Sequence, residues 1–260
     1  MDTKLITELA ERLARAERDR HAITCLTADT PDLSVEAAYA VQRALVGLRT
    51  GRGERIVAIK GGLTSKAKQL QMHVDEPLYG VITDRMVLDE GEALRTSELI
   101  HPRVEPEIAC FLAADLRGPG VTSEQALAAL EWVAPALEVL DSRYEDFRFT
   151  LPDVVADNAS SARIVISDAR VSPRDLNLRL LGVVFEKNGE VVETAAGAAI
   201  LGHPANAIAW VANKLAEGGD YLPAGSFILP GALANAHPVT AGDTLRVEID
   251  RVGSLTLFCR

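Results

Sequence analysis

Two glutamates set two residues apart, Glu105 and Glu107 in the segment HPRVEPEIACFL, stand at the start of an apolar run. On a strand they project from one face, where like charges repel. Pro106 between them stiffens the backbone, and a third acid, Glu138, lies inside the apolar run from Ala134 to Leu140. An unpaired charge buried there is costly. Three carboxylates without a Cys or His partner describe a hard oxygen site, suited to Mg²⁺ or Mn²⁺ with waters left for a substrate. The alternative is a solvated strand edge, the usual place for Glu. Lys60 ends the run RIVAIK before Gly61-Gly62. It is either a solvent-facing lysine at a strand end or a cation that donates to an oxyanion as charge develops. The segment VVADNASSARIV, residues 154–165, gathers Asp157, Asn158, Ser160 and Ser161 ahead of a β-run. These are turn formers, and also small donors able to orient a carboxylate.

Periodicity locates the scaffold that carries these groups. Leu5, Leu9 and Leu13 make one helical stripe, and Ala38, Val41, Leu45 and Leu48 a second, stopped by Gly51 and Gly53. Short β-branched runs come next, among them Ile56 to Ile59, Ile108 to Leu112, Ala136 to Leu140, Ile164 to Ile166 and Leu245 to Ile249. Asn188-Gly189 between VVFEK and EVVET predicts a β-hairpin on a type I′ turn. Two helices interrupt the strands. One runs from Thr122 to about Trp132, opened by a Thr122/Gln125 capping box, and the other from Pro204 to Glu217, ended by Gly218-Gly219. His203 reads as the entry to the second helix, and Trp132 and Trp210 as core residues on helical faces. The expected organisation is an N-terminal helical region, residues 1–72, continuing without a clear break into a β-rich part, residues 73–260. The regular strand-helix alternation of a doubly wound sheet is missing.

Composition narrows the function classes. The chain has 260 residues, with 27 Lys plus Arg against 37 Asp plus Glu, a net charge of −10. That balance argues against a nucleic-acid binder working by phosphate neutralisation. Three scattered cysteines, Cys25, Cys110 and Cys259, suggest neither a disulfide framework nor a zinc ribbon. No apolar run reaches membrane-spanning length, and a cytoplasmic protein is expected. GGLTSK, residues 61–66, has the wrong glycine spacing for a phosphate loop, and the common nucleotide and hydrolase motifs are absent.

Taken together, IKGGLTSKAKQLQ, VDEPLYGVITDRM, PRVEPEI, PALEVLDSRYEDF, VVADNASS, KNGEVVE and GAAILGHPANAIAWVANKL resemble the fumarylacetoacetate hydrolase superfamily over nearly the whole chain. The likeness is to its branch of 2-keto-4-pentenoate hydratases and 4-oxalocrotonate decarboxylases. It implies an α+β fold, a curved mixed β-roll with an N-terminal helical cap. It further implies a Mg²⁺ (or Mn²⁺) held by Glu105, Glu107 and Glu138, with Lys60 beside a chelating 2-oxo acid. A homo-oligomer and a complex with a hydratase are also implied.

Within that branch, hydratases usually read Pro-Asp-Phe-Gly or Pro-Asp-Tyr-Gly where this chain has Pro77-Leu78-Tyr79-Gly80. Leucine moves no proton, and adding water to a dienoate calls for an acid-base group. DSRYEDF and NASSAR, with Arg163, are closer to the decarboxylases. The expectation is therefore decarboxylation of 4-oxalocrotonate in meta-cleavage degradation of aromatic compounds, with Leu78, Ser160 and Arg163 facing the substrate. A hydratase, or a non-catalytic subunit that stabilises one, are the alternatives. Gly61 and Pro230-Gly231 depart from the family pattern, which usually has a bulky apolar residue at the first place and Ser-Gly or Thr-Gly at the second.

Overall fold

The computed structural model describes residues 1–66, 69–70, 74 and 76–260. The expected boundary at residue 72 and part of IKGGLTSKAKQLQ lie outside the described residues. The chain opens with helices α1 (Thr3–Asp19), α2 (Leu26–Asp29) and α3 (Val35–Thr50). Asp2 caps α1, which ends on Arg20 in the left-handed region, and Ser34 caps α3. Leu9 and Leu13 of the predicted stripe are buried. The buried Gln42 amide of α3 donates to the carbonyls of Tyr79 and Val155, at 2.8 and 3.1 Å, and ties the helices to the β-rich part.

The strands are β1 (Ile56–Gly62), β2 (Leu78–Thr83), β3 (Val87–Leu88), β4 (Arg103–Leu112), β5 (Leu130–Leu140), β6 (Ser161–Ile166), β7 (Gly182–Lys187), β8 (Glu190–Ala196), β9 (Phe227–Leu229), β10 (His237–Pro238), β11 (Thr244–Ile249) and β12 (Gly253–Phe258). Among them run α4 (Ser123–Ala128), α5 (Leu151–Ala156) and α6 (Pro204–Glu217). The larger sheet has the order β2-β1-β9-β4-β5-β6-β3, with β10 added to β4. It is mixed, because β1 runs parallel to β9 and β3 parallel to β6. The smaller sheet, β12-β11-β7-β8, is antiparallel and packs on β5. Its β7-β8 turn is the predicted one, with positive φ at Asn188 and Gly189.

Alternation on the long β4-β5 pair sorts the core in two. Val104, Ile108, Cys110, Leu112, Leu137 and Val139 join the main cluster under the helices. Ala109 and Ala136 face the other way, where they meet Ala58, Ile82, Met86, Ile164, Phe227 and Leu229 inside the curl of the sheet. Small alanines let this inner face close on itself.

One expected element differs. The Thr122/Gln125 capping box is present, but α4 stops at Ala128, and β5 begins at Leu130 rather than Ala136. A short apolar run suits either period, and here pairing with β4 along its whole length decides it. Trp132 accordingly lies on a strand, stacked on Phe111 of β4, while Trp210 is on α6 as expected. His203 caps α6, its Nδ1 accepting from the Ala205 amide at 3.0 Å.

Candidate metal centre

The β4-β5 register sets Glu105 directly opposite Glu138 and Glu107 opposite Ala136. All three acids thus share the inner face of the curl, beyond its apolar patch. One oxygen from each lies within 4.8 Å of the others, and all three residues are buried. Lys60 on β1 reaches the same point, its Nζ 3.0 Å from Glu138 Oε2 and its side chain 3% exposed. Gly80 opposite it is required for this approach, since a Cβ there would stand 3.2 Å from Lys60 Cδ and 2.8 Å from the Asn158 carbonyl.

Two neighbours orient the acids. Ser161 Oγ donates to Glu138 Oε1 at 2.8 Å, and the Gly231 amide donates to Glu107 Oε2 at 3.0 Å. Gly231 has φ 129°, and a Cβ on it would lie 1.8 Å from Thr64 Oγ1. Glycine therefore lets Thr64 pack against position 231, whose amide reaches Glu107. Glu107 Oε1 is buried with no hydrogen-bond partner among the described residues. A bare carboxylate oxygen beside two further carboxylates is the donor set of a hard divalent cation, and the residues fit one.

Burial pushes the Glu107 carboxyl well above the ordinary carboxylate range, and Glu138 and Glu105 push it further, against Lys60. Burial likewise raises Glu138, to about 7, although Lys60 opposes it. For Lys60, burial favours the neutral amine, but the fields of Glu138, Glu105 and Glu107 prevail and raise it. The lysine is a fixed cation.

Lys60 and Glu105 of the cluster line a cavity of about 370 Å³. Leu78, Phe147, Phe149 and Val154 supply an apolar wall, and Ser160, Asn235 and Arg103 its polar points. Asn158, Ala159 and Ser160 all have positive φ, which non-glycine residues adopt at a cost. Several bonds hold them there. The Asn158 amide group pairs with both backbone groups of Val81 at 2.8 Å, and Ser160 Oγ donates to Asp157 Oδ2 at 3.1 Å. Asp157 is in turn clamped by the buried Arg143, whose guanidinium also donates to the carbonyls of Asp157, Asp141 and Ser161. Burial raises Asp157, to about 6, against that guanidinium.

Residues 52–257 match the family model described as fumarylacetoacetate (FAA) hydrolase C-terminal. The chain belongs to the fumarylacetoacetate hydrolase family. Over 251 residues, 96% of this chain and 95% of the other, it is 47% identical to a 4-oxalocrotonate decarboxylase from Pseudomonas sp. (strain CF600). It is 40% identical over 258 residues, 98% of each chain, to a 2-hydroxyhexa-2,4-dienoate hydratase from Comamonas testosteroni. The solved structure of 4-oxalocrotonate decarboxylase from Pseudomonas putida G7, complexed with magnesium and adipate, superposes with a TM-score of 0.97 at 43% identity, covering 100% of this chain and 99% of that one. The α+β fold expected from the family resemblance is the fold observed.

Of the seven residues expected at the site of this family member, six meet in the structure: Glu105, Glu107, Glu138, Lys60, Leu78 and Ser160. Arg163 does not. It faces away from the cavity lining, donates to the Ala162 carbonyl at 2.9 Å and lies 3.9 Å from Glu98. The likeness of NASSAR to the decarboxylases does not fix where its arginine points: β6 sets Arg163 opposite Val139, on the face away from Glu138. Arg103 lines the cavity instead, and the period of two from Glu105 was the signal that could have found it. Arg143 and Asp157 behind Ser160 also escaped notice as a pair, since only the fold brings them together.

Proposed function

We propose that this chain is a carboxy-lyase dependent on a divalent metal, converting 4-oxalocrotonate (2-oxo-3-hexenedioate) to 2-hydroxypenta-2,4-dienoate and CO₂ in the degradation of aromatic compounds by meta-cleavage. The observation that carries it is the site's make-up: a buried acid cluster with a bare oxygen, reached from the cavity at Lys60 and Glu105, and a leucine in the cavity wall where hydration needs an acid. Among the described lining residues the ionisable ones are Lys60, Arg103 and Glu105. The decarboxylases among the relatives support the same choice. So does the magnesium and adipate complex, adipate being a six-carbon dicarboxylate like the proposed substrate.

Glu105, Glu107 and Glu138 would hold Mg²⁺, or Mn²⁺, whose Lewis acidity draws electrons toward a 2-oxo oxygen. The rest falls to the chain's own groups. Lys60, fixed against Glu138, presents its other N–H bonds to the oxygen on which enolate charge gathers. As the bond to the distal carboxyl carbon breaks, its electron pair moves into the dienolate, and a proton from Lys60 to that oxygen yields the 2-hydroxy dienoate. Leu78 is 1% exposed and, with Phe147 and Val154, keeps water from the departing group. An apolar wall solvates CO₂ better than a carboxylate. Ser160, held by Asp157, fixes the edge of the substrate plane.

Supplying purified protein with 4-oxalocrotonate and, separately, with 2-hydroxypenta-2,4-dienoate tests this directly. We expect CO₂ release and dienoate absorbance from the first substrate, no loss of the second, and arrest of both signals by excess chelator. Hydration of the dienoate without decarboxylation would establish the hydratase reading. Failure of both reactions, with a gain in the stability of an added hydratase, would establish the non-catalytic one. A homo-oligomer and its complex with a hydratase complete the proposal, and size-exclusion chromatography of the two proteins, alone and mixed, checks them.

A further inference from the structure

Arg103 stands on the cavity wall. Its guanidinium carbon lies 4.1 Å from the centre of the Phe147 ring, which lines the same cavity. It is half-buried and opposite Leu140 in the β4-β5 register, one inward-facing step beyond the Glu105–Glu138 pair. Phe147 is itself fixed by His101, ring centres 4.7 Å apart, so the cation rests on a positioned aromatic plate. Two residues along a strand advance about 6.7 Å. An extended six-carbon diacid places its carboxyl carbons roughly 6 Å apart, at about 1.5 Å per bond along a zigzag. A molecule anchored at the acid cluster by its 2-oxo acid end and lying along β4 toward Arg103 has the length to bring its far end to that residue.

We propose that Arg103 is the specificity-determining residue for the distal carboxylate, selecting 2-oxo diacids over 2-oxo monoacids of equal length. This rests on the reading of the cluster as the anchor for a 2-oxo acid. A guanidinium spread over a ring attracts a carboxylate without enclosing it, so the group is recruited yet remains free to leave as CO₂.

The test uses two unreactive probes, 2-oxoadipate and 2-oxohexanoate, titrated calorimetrically into Mg²⁺-loaded protein. The expected result is binding of 2-oxoadipate at least about tenfold tighter, as suits one charge-assisted contact. Arg103→Gln should erase that difference while leaving 2-oxohexanoate affinity as it was, which also shows the variant folded. Arg103→Lys should keep part of it. With 4-oxalocrotonate, the Arg103→Gln loss in kcat/KM should fall on KM. Equal affinity of the wild-type protein for the two probes overturns the inference without touching the decarboxylase reading. A preference for the diacid that survives in Arg103→Gln overturns it too. Discrimination in a protein that releases no CO₂ upholds it while sinking the decarboxylase.

Discussion

The inside of the curled sheet has two ends built from the same strands, and they obey opposite physics. At one end Ala58, Ile82, Met86, Ala109, Ala136, Ile164, Phe227 and Leu229 bury apolar surface and stabilise the fold. Two or three residues along, Lys60, Glu105, Glu107 and Glu138 bury charge, which costs stability unless something compensates it. Lys60 compensates only in part, for Glu107 and Glu138 remain shifted toward their neutral forms and one oxygen stays bare. Folding energy at the apolar end thus holds in place an arrangement that the charged end alone would not keep. On the proposed function, a divalent cation bound by the three carboxylates would make the second end favourable.

Substitutions at the two ends should separate activity from stability. The largest effect is expected at the charged end: Glu107→Gln should lower kcat by on the order of 10³-fold or more, the several kcal/mol that a metal's charge stabilisation supplies. Circular dichroism should show it folded. At the apolar end, Ile82→Ala should do the reverse, costing about 2–5 kcal/mol in urea unfolding while the folded fraction keeps its KM.

Between these extremes, Ser161→Ala removes the hydrogen bond that orients Glu138. Loss of such a supporting bond to a metal ligand should weaken Mg²⁺ binding by about 10-fold, read by calorimetry, with little change in thermal stability. The smallest effect is on pH dependence. Between the ordinary carboxylate range and about pH 7, the folded metal-free protein binds more protons than the unfolded chain, because burial raises Glu138 and Glu107. Stability without metal therefore falls as pH rises across that window. Mg²⁺ needs the carboxylates deprotonated, so the Tm increment it gives should be greater at pH 7.5 than at pH 5.5.

The same contrast governs how much the sequence could tell. Alternation alone put Glu105 and Glu107 on one face, and the apolar setting of Glu138 marked it as unusual, so the charged end was legible residue by residue. The hairpin at Asn188-Gly189 and the capped start of α6 were legible because each rests on local backbone chemistry. What failed depended on distant pairing. The run from Leu130 became strand rather than helix because β4 lies beside it. Arg163, adjacent in sequence to the Ser160 turn, was carried out of the cavity, and Arg103 entered it, because strand register, not sequence distance, decides which side chains meet. Thr64 came to lie against Gly231 by the same means.

Whether a divalent ion completes the charged end is decided by one thermal-unfolding experiment. Wild-type protein and Glu107→Gln are each melted with excess chelator and with Mg²⁺. The predicted result is a wild-type Tm that rises clearly with Mg²⁺, and a variant whose metal-free Tm exceeds the wild-type value and does not respond to the ion. A wild-type Tm indifferent to Mg²⁺, with a variant less stable than wild type in chelator, would contradict it.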